Sequence, residues 1–205
     1  MKMKALLAIF LFGSLAHAGG GARPSYIPSE PLSGEVTAVG RQIDDRAIFL
    51  GRFDHHIVRK NVSGKSDRSF DNTWSGAAFS NDTLTIAIQT DDKVVVGGEF
   101  TSFSDSTVGY LIRLNSNGSV DNDFVNNMGT GFDGRVTSLV IDDGQRILVT
   151  GDFTSFNGDV AEGVARLNSD GTLDEAFDVG SGLKVRLFIS ALRRTCQRPI
   201  EWGLW

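Results

Sequence analysis

Between residues 83 and 88 the chain alternates, with Leu84, Ile86 and Ile88 set among Thr83, Thr85 and Ala87. A period of two is the pattern of a half-buried β-strand. Thr90-Asp91-Asp92 turns the chain, and Val94-Val95-Val96 follows as a β-branched apolar run, which predicts a strand covered on both faces. A looser loop over 101–107 leads into a third strand over 109–115. Asn117-Gly118 predicts a two-residue hairpin with both central residues at positive φ, and 119–124 is expected as the strand that closes the unit.

The same pattern returns 53 positions later. Gly98-Glu99-Phe100-Thr101-Ser102-Phe103 recurs as Gly151-Asp152-Phe153-Thr154-Ser155-Phe156, and Arg113-Leu114-Asn115-Ser116-Asn117-Gly118 as Arg166-Leu167-Asn168-Ser169-Asp170-Gly171. Phe124 returns as Phe177. One gapless offset across the whole unit marks a duplication. A worn copy precedes both, with Gly51, Phe53, Arg59, Asn61, Gly64, Asp67 and Phe70 at the landmark positions and seven residues fewer between Phe53 and Arg59. That loss marks a surface connection.

Two-residue turns would set Leu111 opposite Phe124, Val164 opposite Phe177 and Ile57 opposite Phe70, an aliphatic–aromatic pair three times over. Four short strands in about 53 residues predict an all-β array of β-propeller-like blades, although a β-solenoid or a stack of sheets would share the periodicity. The pattern Arg-Leu-Asn-x-Asx-Gly-Ser/Thr-x-Asp-x-x-Phe, preceded by Gly-acidic-Phe-Thr-x-Phe, resembles the delta-60 repeat of secreted bacterial proteins. That resemblance implies propeller-like domains of no assigned activity. In the first copy Arg52 stands for the acidic residue and Lys60 for the Leu.

The chain ends read differently. Residues 1–18 carry Lys2 and Lys4, an apolar run over 5–15 and Ala16-His17-Ala18, the organisation of a cleaved signal peptide. The expected layout is therefore a signal peptide over 1–18, a flexible lead-in over 19–34, a degenerate repeat over 35–81, repeats over 82–134 and 135–184, and a non-repeat tail over 185–205. That tail holds two of the three Trp and the only cysteine, Cys196, and reads as out-of-frame residues after an incomplete, open array. Secretion or cell-surface placement is expected, with the periplasm an alternative, and no membrane span in the mature chain.

Over residues 19–184 there are 14 basic and 24 acidic residues. That balance repels phosphate backbones and argues against nucleic-acid partners. One cysteine permits no intramolecular disulfide. Motifs for phosphate loops, zinc clusters and nucleophile elbows are absent, and His55 and His56, adjacent on an expected strand, would point to opposite faces.

The one metal candidate is Asn115, Asn117 and Asp121 with its copy Asn168, Asp170 and Asp174, where Asx oxygens around a Gly turn resemble part of a calcium loop. Each set offers few carboxylates, and turns need Asx residues in any case. Arg59, Arg113 and Arg166 read as structural, paired with a nearby acid such as Glu99 or Asp152 or with backbone. Phe100, Phe103, Phe153 and Phe156 read as packing between sheets. No cofactor is expected beyond that calcium candidate. The favoured function is a non-catalytic module holding an unknown protein or glycan partner, with self-association through open edges. The alternatives are a calcium-stabilised adhesion propeller and a fragment of a propeller hydrolase or lyase.

Overall fold

A computed structural model of the chain describes residues 32–71, 79–104 and 106–177. The expected signal peptide, most of the expected lead-in and the expected tail lie outside them. Three antiparallel three-stranded sheets carry the described fold. The first joins β1 (Glu35–Arg41), β2 (Ala47–Arg52) and β3 (Ile57–Lys60), followed by a one-turn helix α1 (Arg68–Asp71). The second joins β4 (Thr83–Ile88), β5 (Val94–Gly98) and β8 (Leu111–Leu114), with a small hairpin β6 (Ser102–Phe103) and β7 (Ser106–Thr107) inserted before β8, and helix α2 (Asn122–Met128) after it. The third repeats this plan with β9 (Val136–Ile141), β10 (Ile147–Gly151), the hairpin β11 (Ser155–Phe156) and β12 (Asp159–Val160), and β13 (Val164–Leu167).

The seven residues missing from the first copy correspond to the inserted hairpin. In its place a short 3-10 turn, Asp54–His56, runs straight into β3.

The expected fourth strand is not formed. Its place holds a single bridging residue: Ser66 against Lys60, Val120 against Leu114, and Leu173 against Leu167. In the second sheet Asp121 then caps a helix, its carboxylate accepting from the Phe124 amide, and a cap at that point ends strand pairing. The preceding turns also differ from the expected two-residue hairpins. The Asn115 amide donates to the Ser119 carbonyl at 2.8 Å and the Gly118 amide to the Asn115 carbonyl at 2.8 Å, which closes a three-residue loop. Gly118 is left-handed at φ 92° and Gly171 at φ 98°, whereas Asn117 and Asp170 are not. This is the type I turn with a left-handed third residue. It moves the register one residue from that expected, so the pairs Leu111–Phe124, Val164–Phe177 and Ile57–Phe70 do not form as cross-strand neighbours.

Alternation explains how the sheets stack. Successive residues of a strand face opposite sides, so Val94 and Val96 with Ile112 and Leu114 bury against Ile48, Leu50, Ile57 and Phe70 of the first sheet. Val95, Leu111 and Phe124 bury on the other side against Ile147, Val149, Ala165 and Leu167 of the third. Strand β4 packs against β1 and β2, and β9 against β4 and β5. The central run Val94-Val95-Val96 is fully buried, as its composition predicts. The far side of the third sheet is different: Leu148, Thr150, Val164 and Arg166 are half-buried, whereas their counterparts Val95, Gly97, Leu111 and Arg113 are buried.

Candidate functional site

The candidate calcium residues fall into two separate arrays, each made by a turn and an ion pair. Asn115 uses its amide nitrogen, donating to Ser119 Oγ at 3.0 Å and to the Val120 carbonyl at 3.3 Å. Asn117 Oδ1 accepts from the Ser119 amide at 3.0 Å and the Ser119 hydroxyl at 2.8 Å. Asp121 Oδ2 accepts from Arg113 Nε at 2.8 Å and lies 3.0 Å from Lys93 Nζ. The third sheet copies this arrangement. Asn168 donates to Thr172 Oγ1 and the Leu173 carbonyl, Asp170 accepts from Thr172, and Asp174 accepts from Arg166 Nε at 2.7 Å.

Those contacts weigh against calcium at these residues. Asp121 and Asp174 are held by cationic side chains and Asp170 by the Thr172 amide and hydroxyl, whereas a hard cation wants six to eight converging oxygens. Among the described residues no cluster of three or more His, Cys, Asp or Glu has metal-ligand placement.

The pairing of the arginines is corrected. Glu99 and Asp152 do not pair with Arg113 and Arg166; both pair with Arg135, at 3.0 Å and 2.6 Å. Arg113 does more than pair. It is 6% exposed, stacks 4.1 Å over the Phe124 ring, and sends Nη1 to Gln89 Oε1 at 3.1 Å and to the Ser169 carbonyl of the next sheet. Arg59 does the same one sheet earlier: Nε to Asp67 at 3.0 Å, Nη1 to Gln42 Oε1 at 3.2 Å and to the Ser116 carbonyl, with the guanidinium 4.5 Å over Phe70. Each guanidinium is thus a strut from one sheet to the turn of its neighbour. Its rigid planar fork suits that task. Gln42 and Gln89 brace the same junctions through the Asp92 and Gln145 carbonyls; the sequence reading passed over both glutamines, though their spacing from the next strand is the same. Arg166 keeps the Asp174 pair and a stack 4.5 Å over Phe177.

Burial opposes ionisation of Asp121, but the Lys93 hydrogen bond, the Arg113 charge and the Phe124 amide outweigh it and hold its carboxyl below the usual range. Asp133 is held well below that range, chiefly by the Thr154 hydroxyl. Desolvation lowers Arg59, a shift too small in chemical consequence to uncharge a guanidinium.

The phenylalanines are packing, as expected. Phe100 and Phe103 close on Phe79 at 4.6 and 4.7 Å, and Phe153 and Phe156 on Phe132 at 4.4 and 4.8 Å. Phe79 and Phe132 were legible through the same offset as the other landmarks and were overlooked. The structural landmarks Gly98 and Gly151 are tight for a physical reason: a side chain at either would meet the Asp82 or Arg135 backbone oxygen. His55 and His56 are not strand neighbours. Both sit in the 3-10 turn with left-handed φ of 65° and 59°.

Above the junction of the second and third sheets lies an open polar cleft of about 390 Å³, bounded by the loops after β4 and β9 and by Ser169, with Arg113 and Lys93 among its lining residues.

Small antiparallel sheets stacked face to face, with few helices, define an all-β, propeller-like protein. A family model described as a domain of unknown function (DUF5122) β-propeller matches residues 89–124 and 145–177, running from the first loop of a unit to its Phe124 or Phe177 landmark. That match supports a propeller-like repeat family. No curated protein matches the chain. Among solved structures, a protein of unknown function from Bacteroides caccae is similar at 12% identity and TM-score 0.39, over 66% of this chain and 46% of that one. A gluconolactonase from Xanthomonas campestris is similar at 11% identity and TM-score 0.29, over 67% of this chain and 60% of that one.

Proposed function

We propose that the chain is a non-catalytic, exported repeat protein acting as a binding or structural module at the cell surface or outside the cell. The observation that carries this reading is how the recurrent polar residues are engaged: Arg59, Arg113, Asp67 and Asp121 join sheet to sheet. On this reading the units are delta-60-type blades of about 53 residues, and signal cleavage follows Ala18. The partner is a protein or a glycan. The reading includes self-association through open strand edges. Surface plasmon resonance of the mature chain against panels of polysaccharides and extracellular proteins, with mass spectrometry of each analyte, tests the reading. Saturable binding with the analyte recovered intact supports it. Product that accumulates in proportion to the chain's concentration overturns it.

A further inference from the structure

The cleft over the second junction is not merely the gap the repeat leaves. Its counterpart at the first junction would carry Ile43 where the cleft has Thr90, and Asp44 and Arg46 where it has Asp91 and Lys93. The difference reaches the strut. Arg59 satisfies Nη2 on Ser69 Oγ at 3.2 Å, but the residue in that place of the second unit is the exposed Asp123, which makes no such bond. Arg113 therefore directs Nε to Asp121 and Nη1 to Gln89 and Ser169, while Nη2 has no protein acceptor among the described residues. Nη2 is not fully buried, so it reaches solvent in the cleft and can donate to a ligand there.

Around it stand groups with hydrogen-bonding capacity to spare. Lys93 Nζ pairs with Asp121 at 3.0 Å and retains further protons. Gln145 has its Oε1 taken by the Thr90 amide, which leaves the amide nitrogen. The Thr90 hydroxyl is exposed at the rim and the Asp91 carboxylate is mostly so. Lys93 and Arg113 balance Asp91 and Asp121, which leaves too little net positive charge for a dianion such as phosphate and leaves directed hydrogen bonds, rather than net charge, to hold a ligand. It offers charge-assisted donors in one spot, which fit a carboxylate, beside a carboxylate, an amide and a hydroxyl that fit sugar hydroxyls. The volume is at the lower end for small-ligand sites.

We propose that this cleft binds a single carboxylated sugar, a hexuronate, with its carboxylate on Arg113 Nη2 and Lys93 Nζ and its ring hydroxyls on Thr90, Gln145 and Asp91. The assignment rests on the binding-module reading and names the ligand class for one place on it.

Isothermal titration with D-galacturonate and D-glucuronate, with D-galactose and acetate as controls, tests it on the mature chain and on Thr90→Ile and Lys93→Met. Thr90→Ile installs the side chain that the first unit carries and retains the backbone bond to Gln145, so its thermal midpoint should match the parent. Saturable binding of one uronate is expected, weaker by about tenfold or more for galactose, for acetate and in each variant. No saturable uronate binding, equal binding of galactose or acetate, or uronate binding untouched by both variants would overturn the cleft assignment. Where uronate fails in one of these ways but another partner binds saturably, only the cleft assignment falls and the module reading stands.

Discussion

Replacing Arg113 by Met removes a strut while keeping most of its length. The variant loses the bond to Asp121 at 2.8 Å, the Gln89 bond, the Ser169 bond that crosses to the third sheet, and the stack over Phe124. Asp121 stays behind with 8% of its side chain exposed, neutralised in part by Lys93. Removing one partner of a buried pair typically costs 3 to 5 kcal/mol, and the residual Lys93 contact places this case at about 3 kcal/mol. Arg166→Met is the internal control. Its side chain is 22% exposed and holds Asp174 and the Phe177 stack without a strut to a further sheet among the described residues. It should cost about 1 kcal/mol, in the range of exposed pairs with some cation–π contribution. Urea unfolding of the three proteins measures both, with unchanged m-values showing that the native and denatured states are comparable. Equal losses for the two variants, or a loss at Arg113 within experimental scatter, would refute the strut.

Gly118→Val should destabilise by about 1 to 3 kcal/mol, because φ is 92° and the new side chain would strike the Phe70 carbonyl; Gly171→Val, at φ 98° against Phe124, should follow. Unchanged denaturation midpoints would contradict the left-handed turn. The carboxyls of Asp67, Asp121 and Asp133 are all held below their ordinary values. Their contribution is therefore complete above the ordinary carboxylate range and is lost as pH falls through it towards the folded-state values. Urea midpoints should drop between about pH 7 and about pH 3, and equal midpoints would count against the pairs. Excess chelator should shift the melting midpoint by less than about 1 °C, since guanidinium and ammonium groups hold Asp121 and Asp174. A clear fall would restore the calcium reading.

The strands were legible because they rest on short-range signals. The Val94-Val95-Val96 run encodes burial directly, and β4 and β5 lie where the patterns place them, although in β4 Thr83 is the buried residue while Leu84, Ile86 and Ile88 are half-buried like Thr85 and Ala87. The closing segment misled because 119–124 alternates weakly and its decisive feature is one residue: Asp121 serves as helix cap and ion-pair acceptor together. Asn117-Gly118 misled in a narrower way. Two-residue and three-residue loops both favour Gly at the end, and the one-residue difference in register shows only when Leu114 is found against Val120. The role of Arg113 was half legible. Recurrence marked it as structural, but its acid is Asp121, itself a recurrent landmark and nearer in the sequence than Glu99. Gln89 and Ser169 meet Arg113 through a contact between sheets that no local pattern records.

The central claim is that each sheet is joined to the next by a buried guanidinium reaching the neighbour's turn. Proton NMR of the Arg113 side chain tests this most directly. The account predicts separate, slowly exchanging Nη–H resonances, upfield shifts from the Phe124 ring that it overlies, and nuclear Overhauser contacts from Nη1–H to residues around Ser169, all lost in Arg113→Met. A single, rapidly exchanging guanidinium signal without contacts to the third sheet would contradict it.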